Sequence, residues 1–296
     1  MNTQIIVFSD LDATLLNRED YSFEPALPAL DLLQKNNIPL ILNSSKTIAE
    51  ISELRSRLNN THPFVVENGA AVLVPVGYFS ELKDQETISI EGDDCNYCVI
   101  RFGDSYEHIL QALNKARQAG FVFTGFNQWS ADELAQVTSL DSASASRAKQ
   151  RLGSEPLLLE GDTSPFNNFL NSLGLRTVQG GRFLHVMGQY DKADGVKWLL
   201  KAYRKKYQSA QVKAIALGDS HNDVGMLNCA DYPVVIKSPH SHAIKLNNTD
   251  RVRFSQSLGP AGWNEVMLDL VPKLLSHSEN NNAAVPNKFS TQNQGV

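Results

Sequence analysis

Two short apolar runs, each breaking off into acids, constrain this chain more than any other feature. Ile5-Ile6-Val7-Phe8 stops at Ser9-Asp10-Leu11-Asp12, and the run from Val212 to Leu217 stops at Gly218-Asp219. Neither run alternates apolar with polar residues, so neither suits a sheet with one face in water. Uninterrupted apolar strands are expected where helices cover both faces of a parallel sheet. The surrounding pattern agrees. Pro25 to Lys35 carries helical spacing in Ala26, Leu27, Leu30, Leu32 and Leu33, and Ile38 to Leu42 reads as a strand breaking into Asn43-Ser44-Ser45-Lys46-Thr47. Thr47 and Glu50 stand at capping-box spacing ahead of Ile48, Ile51 and Leu54. Phe64-Val65-Val66 and Ala71 to Val74 flank Asn68-Gly69, a hairpin signal. The alternation resumes with a helix over Val196 to Tyr207 and a strand over Pro233 to Ile236. The expected class is α/β, with a Rossmann-like three-layer parallel-sheet core.

Between these halves the texture changes. Strand-like pieces at Thr87 to Glu91, Val99 to Phe102 and Leu157 to Glu160 alternate with helices around 106–119, 130–139 and 163–173. This reads as an α+β unit inserted at 83–185 into a core made of 1–82 and 186–275. The stretch 276–296 is rich in Asn, Gln and Ser, without apolar periodicity, and is expected to be a disordered tail.

Charge and cysteine content narrow the function classes. The 296 residues carry a net charge of -5, which recommends neither nucleic acid nor an anionic membrane as partner. An anionic substrate must then be drawn by a local cationic site. Cys95 and Cys98 form a C-x-x-C, but a zinc site wants four suitably spaced ligands, and no second pair is near. With Cys229 they read as reduced thiols. No apolar run approaches the roughly 18 residues of a membrane span, and the N-terminus lacks the basic start of a signal peptide, so a cytoplasmic location is expected. Oligomeric state is left open.

Asp10 and Asp12 stand two apart beyond an apolar strand, where extended geometry points both side chains the same way. Ligands of parallel sheets gather beyond the C-terminal strand ends. Two carboxylates this close repel unless a cation lies between them or one holds a proton, and Mg²⁺ commonly takes one or two carboxylates together with phosphate oxygens. A lone D-x-D is also common in solvated loops. The second cluster, Gly218-Asp219-Ser220-His221-Asn222-Asp223, follows the other buried strand and opens a helix. Capping would account for one acid there, whereas four acids at two strand ends suit a divalent cation. Ser44 and Ser45 lie past the second strand at the foot of a helix, where amides favour an anion. Lys192 precedes the helix at 196, while Lys46 reads as a surface lysine.

In these residues the chain resembles the haloacid dehalogenase superfamily of aspartyl phosphatases. The resemblance runs through Asp10-Leu11-Asp12-Ala13-Thr14-Leu15, then Ser44, then Lys192, then Gly218 to Asp223, in the family's order. Ala13 stands where the family usually has Gly. An insert between the second and third motifs is similar to the large α+β cap, of C2 type, that some members carry there. Within the superfamily, Asn43 to Thr47 with Glu50, Glu67-Asn68-Gly69-Ala70, Gly181 to Val186 with Asp191-Lys192, and the Arg-x-x-Ser-Glu of Arg151 to Glu155 resemble mannosyl-3-phosphoglycerate phosphatases. The resemblance implies that Asp10 is the nucleophile, Asp12 the general acid and base, and Ser44 and Lys192 the holders of the transferring oxygens. It implies Mg²⁺ on Asp10, the Asp12 carbonyl and Asp219, supported by Asp223. Arg151, Ser154, Glu155, Arg182 and His185 are the expected contacts to a small phosphorylated sugar, with another sugar phosphate, or a catalytically silent phosphosugar-binding regulator, as the alternatives.

Overall fold

The computed structural model describes residues 3–82, 86–90, 95–208, 210–247 and 250–283. The first part of the chain forms β1 (Thr3–Ser9), α1 (Leu27–Lys35), β2 (Leu40–Leu42), α2 (Ile48–Arg57), β3 (Phe64–Val66), β4 (Ala71–Pro75), β5 (Thr87–Ser89) and β6 (Asn96–Arg101). Next come α3 (Tyr106–Gln118), β7 (Phe123–Gly125), α4 (Ala131–Thr138), α5 (Ser142–Ala148), β8 (Ser154–Leu159), α6 (Thr163–Ser172), β9 (Arg176–Gly180) and β10 (Phe183–Met187). The chain then adds α7 (Lys192–Lys206), β11 (Gln211–Gly218), α8 (Val224–Asn228), β12 (Tyr232–Lys237), β13 (Arg253–Leu258) and α9 (Gly259–Ala283).

Five strands make one parallel sheet in the order β13-β12-β11-β1-β2. Successive side chains of a strand point to opposite faces, and β1 divides accordingly. Ile5 and Val7 pack with Leu40, Leu42, Ile215 and Leu217 against Ala29, Leu33, Ile51 and the α9 residues Trp263, Met267 and Leu270. Ile6 and Phe8 pack with Ile41, Ala214, Ala216 and Val235 against Val196, Leu199 and Tyr203 of α7 and Met226 and Leu227 of α8. The sheet is therefore a middle layer between two helical layers, which is why β1 and β11 have no polar face to display.

A second sheet, antiparallel in the order β7-β8-β10-β9, carries α3 and α6 on a separate apolar cluster of Ile109, Leu113, Leu157, Phe166, Leu170 and Val186. The third sheet runs β3-β4-β6-β5, all antiparallel. Here the chain differs from the sequence expectation. Thr87–Ser89 and Asn96–Arg101 fall within 83–185, yet they extend the β3-β4 hairpin, and Tyr97, Cys98 and Val99 pack into the clusters that cover the parallel sheet. Buried apolar positions bind these strands to the core side, whatever their place in the sequence. Their cysteine, Cys98, is a free thiol, as is Cys229.

Other departures are local. Residues 24–26 form a 3₁₀ turn before α1, and α5, β13 and α9 had no periodicity strong enough to announce them. Helix α9 continues past Ser276 into the expected tail, because extending a packed helix adds one hydrogen bond for each residue fixed. Residues 284–296 of that tail lie outside the described residues. Among those described, no helix is long and apolar enough to cross a membrane.

Candidate active site

The parallel sheet delivers its acids to one edge. The Asp10 N–H still donates to the Leu217 carbonyl at 2.9 Å, so the β1–β11 ladder holds the backbone up to the residue that matters. Asp10 is 6% exposed. At the end of β11, Gly218 lets the next turn fold back, since a Cβ there would sit 2.5 Å from the Asp223 Cβ. Asp223 is fully buried, and its Oδ2 accepts the N–H groups of Asp219 at 3.0 Å and Ser220 at 3.1 Å. Asp219 accepts a long hydrogen bond from Thr14 Oγ1 at 3.4 Å.

Lys192 closes this pocket. It is the first residue of α7, whose start is fixed by a capping box between Asp191 and Asp194. Its buried ammonium reaches Asp10 Oδ1 at 2.5 Å and Asp223 Oδ1 at 2.6 Å. Burial opposes the charge on Lys192, but the Asp10 and Asp223 carboxylates outweigh it and hold the ammonium above the ordinary lysine range. Asp10 is raised well above the usual carboxylate range by burial first and by repulsion from Asp223 next, with Lys192 pulling the other way. Burial and Asp223 push Asp219 up to about 6.

The residues fit a divalent cation. Oxygens of Asp10, Asp219 and Asp223 all lie within 4.8 Å of one another, and all three residues are buried. One ammonium against three carboxylates leaves the pocket short of positive charge, and that repulsion adds to burial in holding Asp10 and Asp219 above their ordinary range.

The remaining expected residues are distributed differently. Ser44 is buried at the end of β2, one strand away from Asp10; its carbonyl accepts Asn68 N–H at 2.9 Å and its Oγ accepts Lys46 N–H at 3.3 Å. Asp12 stands apart from the three clustered acids. Its side chain is 43% exposed and pairs with Lys46 Nζ at 3.0 Å. Lys46, read from the sequence as a surface lysine, is only 17% exposed, lies 3.9 Å from Glu50 Oε1 and sits over the Tyr21 ring at 4.8 Å. Burial works against its charge, and the Asp12 and Glu50 carboxylates more than restore it. Ala13 adopts φ 59°, the left-handed region where a Cβ is disfavoured and Gly is the residue without strain.

Arg151 and Ser154 do not face open space. Glu67, a fully buried acid at φ 51°, fills the concavity they make. Its carboxylate accepts the N–H groups of Leu152 at 2.5 Å, Gly153 at 3.1 Å and Ser154 at 2.9 Å, and the Ser154 hydroxyl at 2.8 Å. Arg151 pairs with it at 3.4 Å and donates to the Ser45 carbonyl at 3.2 Å. Glu155, also buried, accepts from Asn127 N–H at 2.8 Å and Tyr106 O–H at 2.7 Å. Arg182 is exposed and donates to the Thr138 carbonyl at 3.0 Å. His185 is buried, its Nδ1 has no partner, and burial followed by Arg151 and Lys192 lowers it to about 3, so its ring is neutral. Glu67 and Asn68 were missed as site residues, although an acid ahead of Asn-Gly was the available signal. Asn68 joins the motifs: its N–H meets the Ser44 carbonyl and its Oδ1 accepts Asn222 Nδ2 at 3.2 Å. Gly69 beside it presses on the Asp191 carbonyl, 2.1 Å from where a Cβ would stand.

A family model described as haloacid dehalogenase-like hydrolase matches residues 7–133 and 168–249. A glucosyl-3-phosphoglycerate/mannosyl-3-phosphoglycerate phosphatase of Methanococcoides burtonii is 39% identical over 273 residues, 90% of this chain and 97% of its own. A phosphatase of the same name from Persephonella marina is 35% identical over 267 residues, 88% of this chain and 95% of its own. Among solved structures, a Thermoplasma acidophilum protein matches with a TM-score of 0.61 at 16% identity, over 94% of this chain and 99% of that one. The sucrose-phosphatase of Synechocystis matches with a TM-score of 0.56 at 14% identity, again over 94% and 99%. The chain belongs to the haloacid dehalogenase-like hydrolases and is a phosphoric monoester phosphatase, grouped by sequence with the glucosyl-3-phosphoglycerate/mannosyl-3-phosphoglycerate phosphatases.

Proposed function

We propose that this chain is a magnesium-dependent phosphatase that works through an aspartyl-phosphate on Asp10, with mannosyl-3-phosphoglycerate, or its glucosyl counterpart, as substrate. The observation that carries the reading is the Lys192 ammonium bridging Asp10 and Asp223 within a buried group of three carboxylates. A structural salt bridge has no need of the third acid, whose presence leaves the pocket short of positive charge. Asp10, Asp219 and Asp223 would hold a magnesium ion, which would screen the anionic nucleophile from an anionic substrate.

In the first step an Asp10 carboxylate oxygen attacks phosphorus in line and the bond from phosphorus to the ester oxygen breaks. Asp12 gives its proton to that oxygen as the alcohol leaves. In the second step Asp12 takes a proton from water, the water oxygen attacks the phosphorus of the aspartyl-phosphate, and Asp10 leaves as a carboxylate with release of inorganic phosphate. A positioned acid and base contributes about 10²–10⁴-fold to such a reaction, and covalent catalysis splits one difficult displacement into two easier ones. Lys192 holds one oxygen of Asp10 and so fixes which carboxylate oxygen faces the substrate. Ser44 is the donor to a transferring oxygen from the neighbouring strand end. The unit built on the β7-β8-β10-β9 sheet, with the buried neutral imidazole of His185, covers the sugar. The substrate assignment rests on the names of the two sequence relatives.

Asp10→Asn tests the nucleophile. Phosphate release from mannosyl-3-phosphoglycerate is expected to fall at least about 10³-fold with the circular dichroism spectrum unchanged. Near-wild-type turnover by the variant would remove Asp10 from this role, and a better substrate among other sugar phosphates would correct the substrate.

A further inference from the structure

We propose that Lys46 binds a carboxylate on the leaving-group side of the phosphoester, so that the enzyme selects phosphoglycerate-type esters over plain polyol phosphates. The inference rests on the functional reading above and deepens it. The ester oxygen must come within about 2.6–3.2 Å of the Asp12 carboxyl to receive its proton. Lys46 Nζ is 3.0 Å from Asp12 Oδ1, so a group two carbons from the ester oxygen can reach this ammonium. In a 3-phosphoglycerate the ester oxygen is on C3 and the carboxylate is C1, which ordinary bond lengths place roughly 3–5 Å apart.

The other cations near the site are committed. Lys192 is held by Asp10 and Asp223. Arg151 and the three N–H groups that follow it, the best anion cradle on the cap side, are filled by the chain's own Glu67. An ammonium has three N–H donors. At Lys46, Asp12 lies within hydrogen-bonding distance, while Glu50 Oε1 at 3.9 Å is beyond it and the Tyr21 ring covers one side. Glu50 is itself occupied, its Oε2 accepting Thr47 N–H at 2.8 Å in the capping box of α2. Donor capacity is therefore left on a cation that stands next to the exposed Asp12, on the side from which the leaving group must depart. The capping box fixes α2, and with it the base of the Lys46 side chain.

The test compares 3-phosphoglycerate with glycerol 3-phosphate, which differ in the carboxylate and share the ester. Steady-state kinetics with magnesium present are measured for wild type, Lys46→Gln and Lys46→Arg. Wild type is expected to prefer 3-phosphoglycerate by about 10- to 100-fold in kcat/KM, mostly through KM, the range for a hydrogen bond to a charged group. Lys46→Gln is expected to erase that preference, and Lys46→Arg to keep part of it. No wild-type preference, or an equal loss on both esters in Lys46→Gln, overturns the proposal; equal loss is what a lysine that only positions Asp12 would give. The sugar assignment fails separately, if attaching mannose to 3-phosphoglycerate leaves kcat/KM unchanged.

Discussion

Replacing Asp219 by Asn should make the metal-free protein more stable, and only where the acid would be ionised. Asp219 is 4% exposed and held at about 6 by burial and by Asp223, whereas an unfolded-chain aspartate titrates near 3.9. The sign follows from that order. Below about pH 4 the carboxyl is protonated in both states and contributes nothing. As pH rises from about 4 to 6 the unfolded chain gives up its proton first, so folding is penalised, and above about 6 the penalty is complete. A shift of about two units at about 1.4 kcal/mol each amounts to about 3 kcal/mol. Asn has the same shape without the charge. Urea unfolding in EDTA, with m held common, should therefore find Asp219→Asn more stable than wild type by about 3 kcal/mol at pH 7.5 and by less than about 1 kcal/mol at pH 4.5. Magnesium should reverse the order at about a thousand times its dissociation constant, where wild type gains about 4.1 kcal/mol and the variant gains little. A variant no more stable than wild type at pH 7.5 in EDTA, or a difference that persists undiminished at pH 4.5, would refute this account of the pocket.

Two further expectations concern the scaffold. Ala13 at φ 59° carries left-handed strain of about 1–2 kcal/mol, offset in part by the greater freedom of an unfolded glycine. Ala13→Gly should accordingly raise the thermal midpoint by roughly 1–4 °C at fixed metal concentration; a lower midpoint would show that the Ala13 methyl packs usefully. Glu67→Ala leaves three N–H groups, the Ser154 hydroxyl and the Arg151 guanidinium without their acceptor. It should cost about 3–5 kcal/mol in urea unfolding, the range for breaking a buried ion pair, and a loss below about 1 kcal/mol would mean that water replaces the carboxylate.

What could be read from the sequence was what burial on both faces imposes. β1 and β11 lie between two helical layers, so Ile5 to Phe8 and, apart from Lys213, Val212 to Leu217 are apolar, and the acids that end them stand out. Lys192 stood out through the family resemblance, since a lysine just ahead of a helix is by itself most simply a surface residue. The partners of these residues were harder, since pairing across the sheet or onto the inserted unit is decided by packing that no local window contains. Glu67 and Ser154 are 87 positions apart and meet because the β3-β4 turn and the start of β8 face each other. Lys46 looked like a solvated lysine because its value lies in Asp12, which reaches it from another strand end. β5 and β6 were placed with the insert on sequence position, yet their buried residues belong to the clusters over the parallel sheet. α5, with Ser and Ala on nearly every position, has too little apolar contrast to show a period, and Asp141 capping its start is its clearest mark.

The division of the lysines bears on how two aspartates only two residues apart could hold the different roles proposed for them. Asp10 is buried with Asp219 and Asp223, and Lys192 shares its charge between Asp10 and Asp223. Asp12 looks the other way, is 43% exposed and has Lys46. A nucleophile has to keep a fixed orientation and stay away from water that would compete for the phosphoryl group, and burial against a hydrogen-bonded ammonium provides both. A general acid and base has to exchange its proton with each turnover, which burial would impede and exposure permits. Environments that push neighbouring carboxyls apart are how one site runs both chemistries. Here β1 ends at Ser9, so strand alternation no longer holds the two acids to one side: Leu11 is buried between them, and each side chain meets a different lysine, that of the α7 start for Asp10 and that of the loop before α2 for Asp12. Exchanging the two environments would require turning Leu11 out of a fully buried position, at about 1.5–3 kcal/mol for its side chain alone, so the assignment of roles is built into the strand end itself.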